Sequence, residues 1–282
     1  MPASRALDAS DTYYSISVEL SMLLVGDIGG TKADMAILSV ERGPRDPIAS
    51  ARLPVADYDS LESLARSFVD QAGISVDRAC FGIAGPGVDG RVVGTNLPWI
   101  VDEDRIGRQL GLRSVKLLND LEAIANGIPL LQGQDIHTLS AGIRLEHGTL
   151  AVIAPGTGLG EGYMLWDGRR YRAYPSEGGH ADFAPNTVLE CELWRYLHER
   201  YGHVSYERVC SGVGIPNIYA FGKDSGRADE PAWLAERLGE TSDPTPVIVT
   251  AALEKGPDSQ ICRLTLETFV SILGAAASSL AL

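Results

Sequence analysis

The stretch LLVGDIGGTKADMAIL, Leu23 to Leu38, decides how the rest of the chain is read. An apolar run enters an acidic, glycine-dense turn. A second run leaves it, in which Met35 and Ile37 alternate with smaller residues. Alternation with period two marks a half-buried strand, so the segment reads as a strand–turn–strand hairpin. Glycine turns after buried strands suit phosphate, because backbone N–H groups reach the anion where no side chain intervenes. Two nucleotide motifs fail on spacing. Thr31 stands where a P-loop needs its second glycine. Gly26, Gly29 and Gly30 do not make the dinucleotide pattern, which also needs a helix next. These residues alone equally allow a plain solvated turn, since Gly and Asp are turn formers.

The 282 residues suffice for two domains and a real core. A net charge of −13 argues against nucleic acid or an anionic membrane as partner. It leaves room for a nucleotide, whose phosphates a backbone cradle and a divalent cation can hold locally. Cys80, Cys191, Cys210 and Cys262 lie far apart, without zinc-ligand spacing. They are expected as small buried hydrophobes in a reducing, cytoplasmic compartment. Residues 1–21 are polar and mixed, lack the apolar centre of a signal peptide, and are expected to be a disordered extension. The apolar stretch from Thr268 to Leu282 is short for a bilayer span and rich in Ala, Ser and Gly; it predicts a buried helix.

Outward from the hairpin, Leu61, Leu64, Ala65, Phe68 and Val69 recur at helical spacing. A strand from Val115 to Leu118 ends in Asn119-Asp120, with a helix starting at once. Ligand sites of open α/β sheets gather at such strand ends. Then the opening motif returns in LAVIAPGTGLGEGYMLWDG, and Gly29–Leu38 lays over Gly156–Leu165 with turn and apolar run in register. Two related halves follow, each presenting a glycine turn, and two such turns facing across a cleft suit a polyphosphate. From Val188 the chain reads as mainly helical. The best boundary lies near Ile128–Thr138, giving a small α/β domain over 22–133 and a larger one over 134–282.

GDIGGTK, GIAGPG, TNLPW, LLNDLEAIANGI, PGTGLGEG, SEGGHADFAP and YERVCSG, in this order, resemble the zinc-free bacterial glucokinases of the sugar-kinase/actin superfold. The resemblance runs from Leu23 to Leu282. It implies two ribonuclease-H-like α/β domains around a cleft, ATP with Mg2+, and transfer of the γ-phosphoryl group to the 6-hydroxyl of glucose. A homodimer is the family habit. Carried over by motif, Asp120 is the catalytic base, and Asn96, Asn119, Glu177, His180 and Glu207 hold the sugar with it. Gly26, Gly29, Gly30 and Thr31 form one phosphate turn, with Asp27 reaching Mg2+ through water. Gly156, Thr157 and Gly158 form the other.

The residue types fit that chemistry. Phosphoryl transfer needs positioning, charge neutralisation and a proton acceptor. A sugar needs carboxylates, an amide and an imidazole around its hydroxyls. Asn119-Asp120 is also a good helix cap, and both roles can hold. Lys32 departs from the Asn common in this group, while the zinc motif of the related repressor–kinase group is missing after Glu177–His180. In the family the helix resembling ETFVSILGAAASSLAL leads into a further strand and a glycine turn that contacts adenosine. Leu282 ends this sequence, so the resemblance implies an incomplete second domain. The alternative is a sugar-binding relic without turnover. A DNA-binding repressor finds neither a helix-turn-helix ahead of Asp27 nor a basic patch.

Overall fold

The opening segment folds as a hairpin of β1 (Met22–Ile28) and β2 (Lys32–Ser39), paired antiparallel from Met22 opposite Ser39 to Ile28 opposite Ala33. The computed structural model describes residues 21–85, 87–93, 97–143, 145–254 and 259–282. Asn96, and the expected extension up to residue 20, lie outside the described residues.

Alternation buries Ala33, Met35 and Ile37 on one face of β2. β3 (Ala49–Pro54) adds antiparallel to β2. The helix α1 (Leu61–Ala72) buries Leu61, Leu64, Ala65 and Phe68, with Val69 packed at the edge. Ser60 caps it by accepting from the Ser63 N–H at 3.1 Å, and Gly73 ends it in the left-handed region. The chain returns through β4 (Arg78–Ile83), parallel to β1. A small antiparallel sheet follows, of β5 (Gly87–Val88), β6 (Arg91–Val93) and β7 (Ile100–Asp102), then α2 (Glu103–Leu110) and β8 (Ser114–Asn119). The main sheet runs β3-β2-β1-β4-β8, and Leu24, Ile28, Met35, Phe81 and Ile106 fill the core beside it.

The chain divides into two compact units between Leu118 and Asn119. The second opens with α3 (Asp120–Gly127) and continues into β9 (Leu150–Pro155), β10 (Leu159–Trp166) and β11 (Tyr171–Ser176), an antiparallel sheet in the order β11-β10-β9. The internal repeat is structural. Laid over as the sequence suggests, Lys32–Ser39 of β2 falls on Leu159–Trp166 of β10, and each hairpin gains a third antiparallel strand. Helices complete the unit: α4 (Val188–Tyr201), α5 (Gly214–Asp224), α6 (Ala232–Gly239), α7 (Thr245–Leu253) and α8 (Gln260–Leu280).

β10 serves two cores at once. On one face Gly160, Gly162 and Met164 meet α3, with Leu121 carbons 3.2 Å from where a Gly160 Cβ would stand and 3.3 Å from that of Gly162. On the other face Leu159 enters the core built by α4, α5, α7 and α8.

The final helix departs from its expected length. It starts at Gln260 rather than Thr268 and, at 21 residues, is long and apolar enough to cross a membrane by length and composition. One face, with Ile261, Cys262, Thr265, Phe269 and Ile272, belongs to the protein core.

Candidate active site

In the first unit two backbone hydrogen bonds tie down the glycine turn. The Gly29 N–H donates to the Lys32 carbonyl at 3.0 Å, and the Val55 N–H to the Thr31 carbonyl at 3.0 Å. Asp27, Gly30 and Thr31 are exposed. Gly26 has a packing reason of its own: a Cβ there would stand 2.6 Å from the Met35 sulfur and 3.0 Å from the Phe81 ring. Across the hairpin Asp34 is answered by Arg52, whose Nε lies 2.6 Å from Oδ1 and holds that carboxyl below its usual range.

In the second unit the Gly156 N–H donates to the Gly158 carbonyl at 2.9 Å, closing the second turn. The Gly212 N–H bonds the Gly156 carbonyl at 2.8 Å, and the Thr245 hydroxyl bonds Gly212 in turn. Beyond β11, a single 3-10 turn over Gly178–His180 carries the sugar motif. A bridge between Asp182 and Ser205, with the Tyr206 N–H on the Ala181 carbonyl at 3.0 Å, places a second 3-10 turn, Tyr206–Arg208, beside it.

Three of the sequence-derived sugar residues come together there. His180 Nε2 lies 3.8 Å from Glu177 Oε2, and its Nδ1 lies 4.0 Å from Glu207 Oε1. The Glu177 and His180 side chains are 91% and 63% exposed, open to a ligand, whereas Glu207 is 29% exposed and anchored. Its Oε2 accepts from the Leu159 N–H at 3.0 Å, and its carbonyl from the Ser211 hydroxyl at 2.6 Å.

Asn119 and Asp120 sit where β8 ends and α3 begins. Asn119 is the cap, its Oδ1 accepting from the Leu121 N–H at 3.0 Å; Asp120 Oδ1 lies 2.9 Å from the same N–H. Asp120 is exposed, and Leu121 pins its helix to the glycine face of β10.

Sequence reasoning passed over Glu161. It is only 6% exposed, with no ion pair among the described residues, and burial raises its pKa. Its carboxyl lies under the sugar turn, where a Cβ on Gly178 would run into it. Burial first, then the Glu161 and Glu190 carboxylates, push the nearby Cys210 thiol up to about 12, so it is an inert filler. An acid between two glycines of an otherwise apolar strand was the available signal. Among the described residues no group of three or more His, Cys, Asp or Glu side chains could hold a metal.

A family model described as Glucokinase matches residues 24–282. The chain belongs to the glucokinase family. Its reaction is ATP-dependent phosphorylation of glucose. The glucokinase of Nostoc punctiforme is 36% identical over 277 residues, covering 93% of this chain and 81% of that protein. The crystal structure of a glucokinase from an Antarctic psychrotroph is 28% identical with a TM-score of 0.75, over 93% of this chain and 79% of that one. A ROK family glucokinase from Streptomyces griseus, solved with glucose and AMPPNP, shares the fold at 21% identity and a TM-score of 0.60, again over 93% and 79%. The two-part α/β architecture is the actin-ATPase-like fold of these glucokinases.

Proposed function

We propose that this glucokinase works by in-line transfer with Asp120 as the base, in a sugar site made by Asn119, Glu177, His180 and Glu207, joined by Asn96. The convergence of Glu177, His180 and Glu207 on one exposed point carries this reading. Oxygen 6 of glucose attacks the γ-phosphorus while its proton passes to the Asp120 carboxylate. The bond from γ-phosphorus to the β–γ bridging oxygen breaks, and ADP leaves with the electron pair. Glu177 and Glu207 accept from sugar hydroxyls, and His180 and Asn119 fix others, so that the attacking oxygen is held in one orientation. The backbone N–H groups around Gly29–Thr31 and Gly156–Gly158 receive the phosphates.

The donor set fits Mg2+. An exposed carboxylate, Asp27, with no three-ligand cluster among the described residues, suits an ion that keeps most of its waters and sits on the nucleotide. When bound, Mg2+ supplies charge neutralisation at the phosphates. Glucose and AMPPNP together on the Streptomyces griseus neighbour support a site for both substrates.

The test is glucose 6-phosphate formation from glucose and Mg-ATP, with Asp120→Asn beside the unaltered protein. The substitution is expected to lower kcat by about 10²–10⁴-fold with glucose binding retained. Undiminished turnover in Asp120→Asn overturns its assignment as base. Glucose binding without turnover in the unaltered protein supports the sugar-binding relic instead.

A further inference from the structure

Leu159, directly after the phosphate turn, is where that turn touches the sugar residues, and its two backbone groups are approached from different sides. Its N–H donates to Glu207 Oε2 at 3.0 Å. The Leu159 carbonyl, one atom group further on, lies so close under Gly179 of the sugar turn that a Cβ there would overlap it. Gly158 faces the same carboxylate, and a Cβ at Gly158 would overlap Glu207 Oε2. Neither glycine has a positive φ, so closeness rather than backbone conformation requires them. Gly156, two residues earlier in the same turn, faces open space.

We infer that Leu159 and Gly158 are positioning residues through which sugar held by Glu207 sets the place of the Gly156–Gly158 phosphate turn. This rests on the glucokinase reading above. Glu207 has two oxygens with separate surroundings: Oε2 binds the Leu159 N–H, and Oε1 faces His180, on the side of the proposed sugar site. A hydroxyl bonded to Oε1 fixes the rotamer of the carboxylate and with it the N–H that Oε2 holds. The phosphate turn is thereby set before nucleotide arrives, and a disturbance of the turn at Gly158 is felt at the sugar.

The decisive variant is Gly158→Ala, because the overlap falls on the end of a flexible side chain and the fold can accommodate it by turning the carboxylate away. Glucose binding is measured by calorimetry without nucleotide, with Gly156→Ala as the comparison. Gly158→Ala is expected to weaken glucose by about tenfold or more, and Gly156→Ala by less than about twofold, although both lie in the phosphate turn. Unchanged glucose affinity in Gly158→Ala overturns the inference. If Gly158→Ala does not fold, the Leu159 amide resonance of the unaltered protein decides. It shifts on saturation with glucose alone if the relay exists, and stays fixed if it does not. Absence of any glucose binding by the unaltered protein is a different result, which removes the glucokinase reading itself.

Discussion

Glu161 and Gly26 show how much a single residue contributes away from the reacting atoms. Glu161 is buried beneath Gly178 with its pKa above the ordinary carboxylate value, so the folded protein holds a proton that the unfolded chain releases. Between the unfolded value and the raised one the native state binds more protons, and stability falls as pH climbs through that window. Glu161→Gln keeps the shape and removes the titration. Its urea midpoint is therefore expected to lose this fall and to exceed that of the unaltered protein at about pH 8, while the two agree more closely near about pH 5. Gly26→Ala tests the opposite limit, space. Its Cβ would press on Met35 and Phe81 in the centre of the sheet, and the expected cost is about 1–3 kcal/mol by denaturant titration.

At the level of elements, local signals were strong where chemistry and period agreed. Helix α1 is legible from the spacing of Leu61, Leu64, Ala65, Phe68 and Val69, and the structure adds Ser60 and Gly73 as its caps. Ser60→Ala is expected to lower stability by about 1 kcal/mol in thermal melts. Both hairpins were legible as well, because the repeat reproduces the bounds of β2 in β10. Glu177, His180 and Glu207 were found by motif, and the structure brings them together; the reason they meet was not visible. It lies in the pairing of Asp182 with Ser205, a long-range contact that no periodicity announces. The start of α8 at Gln260 was missed because Arg263 and Glu267 interrupt the apolar run, although a helix tolerates charges on its outer face. Glu161 was missed for the converse reason, since an acid in a strand reads as solvent-facing until its depth is known. The glycine just before β10 shows the same division. Gly158 was assigned to phosphate, yet its contact with Glu207 belongs to three-dimensional structure alone.

For the molecule as a whole, sugar binding couples to stability. Glu177, His180 and Glu207 all lie in the unit that begins at Asn119. Glucose at about a hundred times its Kd is expected to stabilise the folded protein by about 2.7 kcal/mol, read as a rise in Tm. His180→Ala is expected to lose most of that rise while melting normally without sugar, since the imidazole is exposed and bears little of the core. The duplicated hairpin also carries a hazard. Two segments so alike in pattern and strand length can exchange partners before either has its proper neighbours. The division at Leu118 offers a remedy through time, because each unit is drawn from one unbroken run of chain. On a ribosome adding about 5–20 residues per second, β1 and β2 emerge and settle against β3 and β4 while the second copy is still being made. The order of synthesis itself thus keeps each half of the repeat faithful to its own sheet.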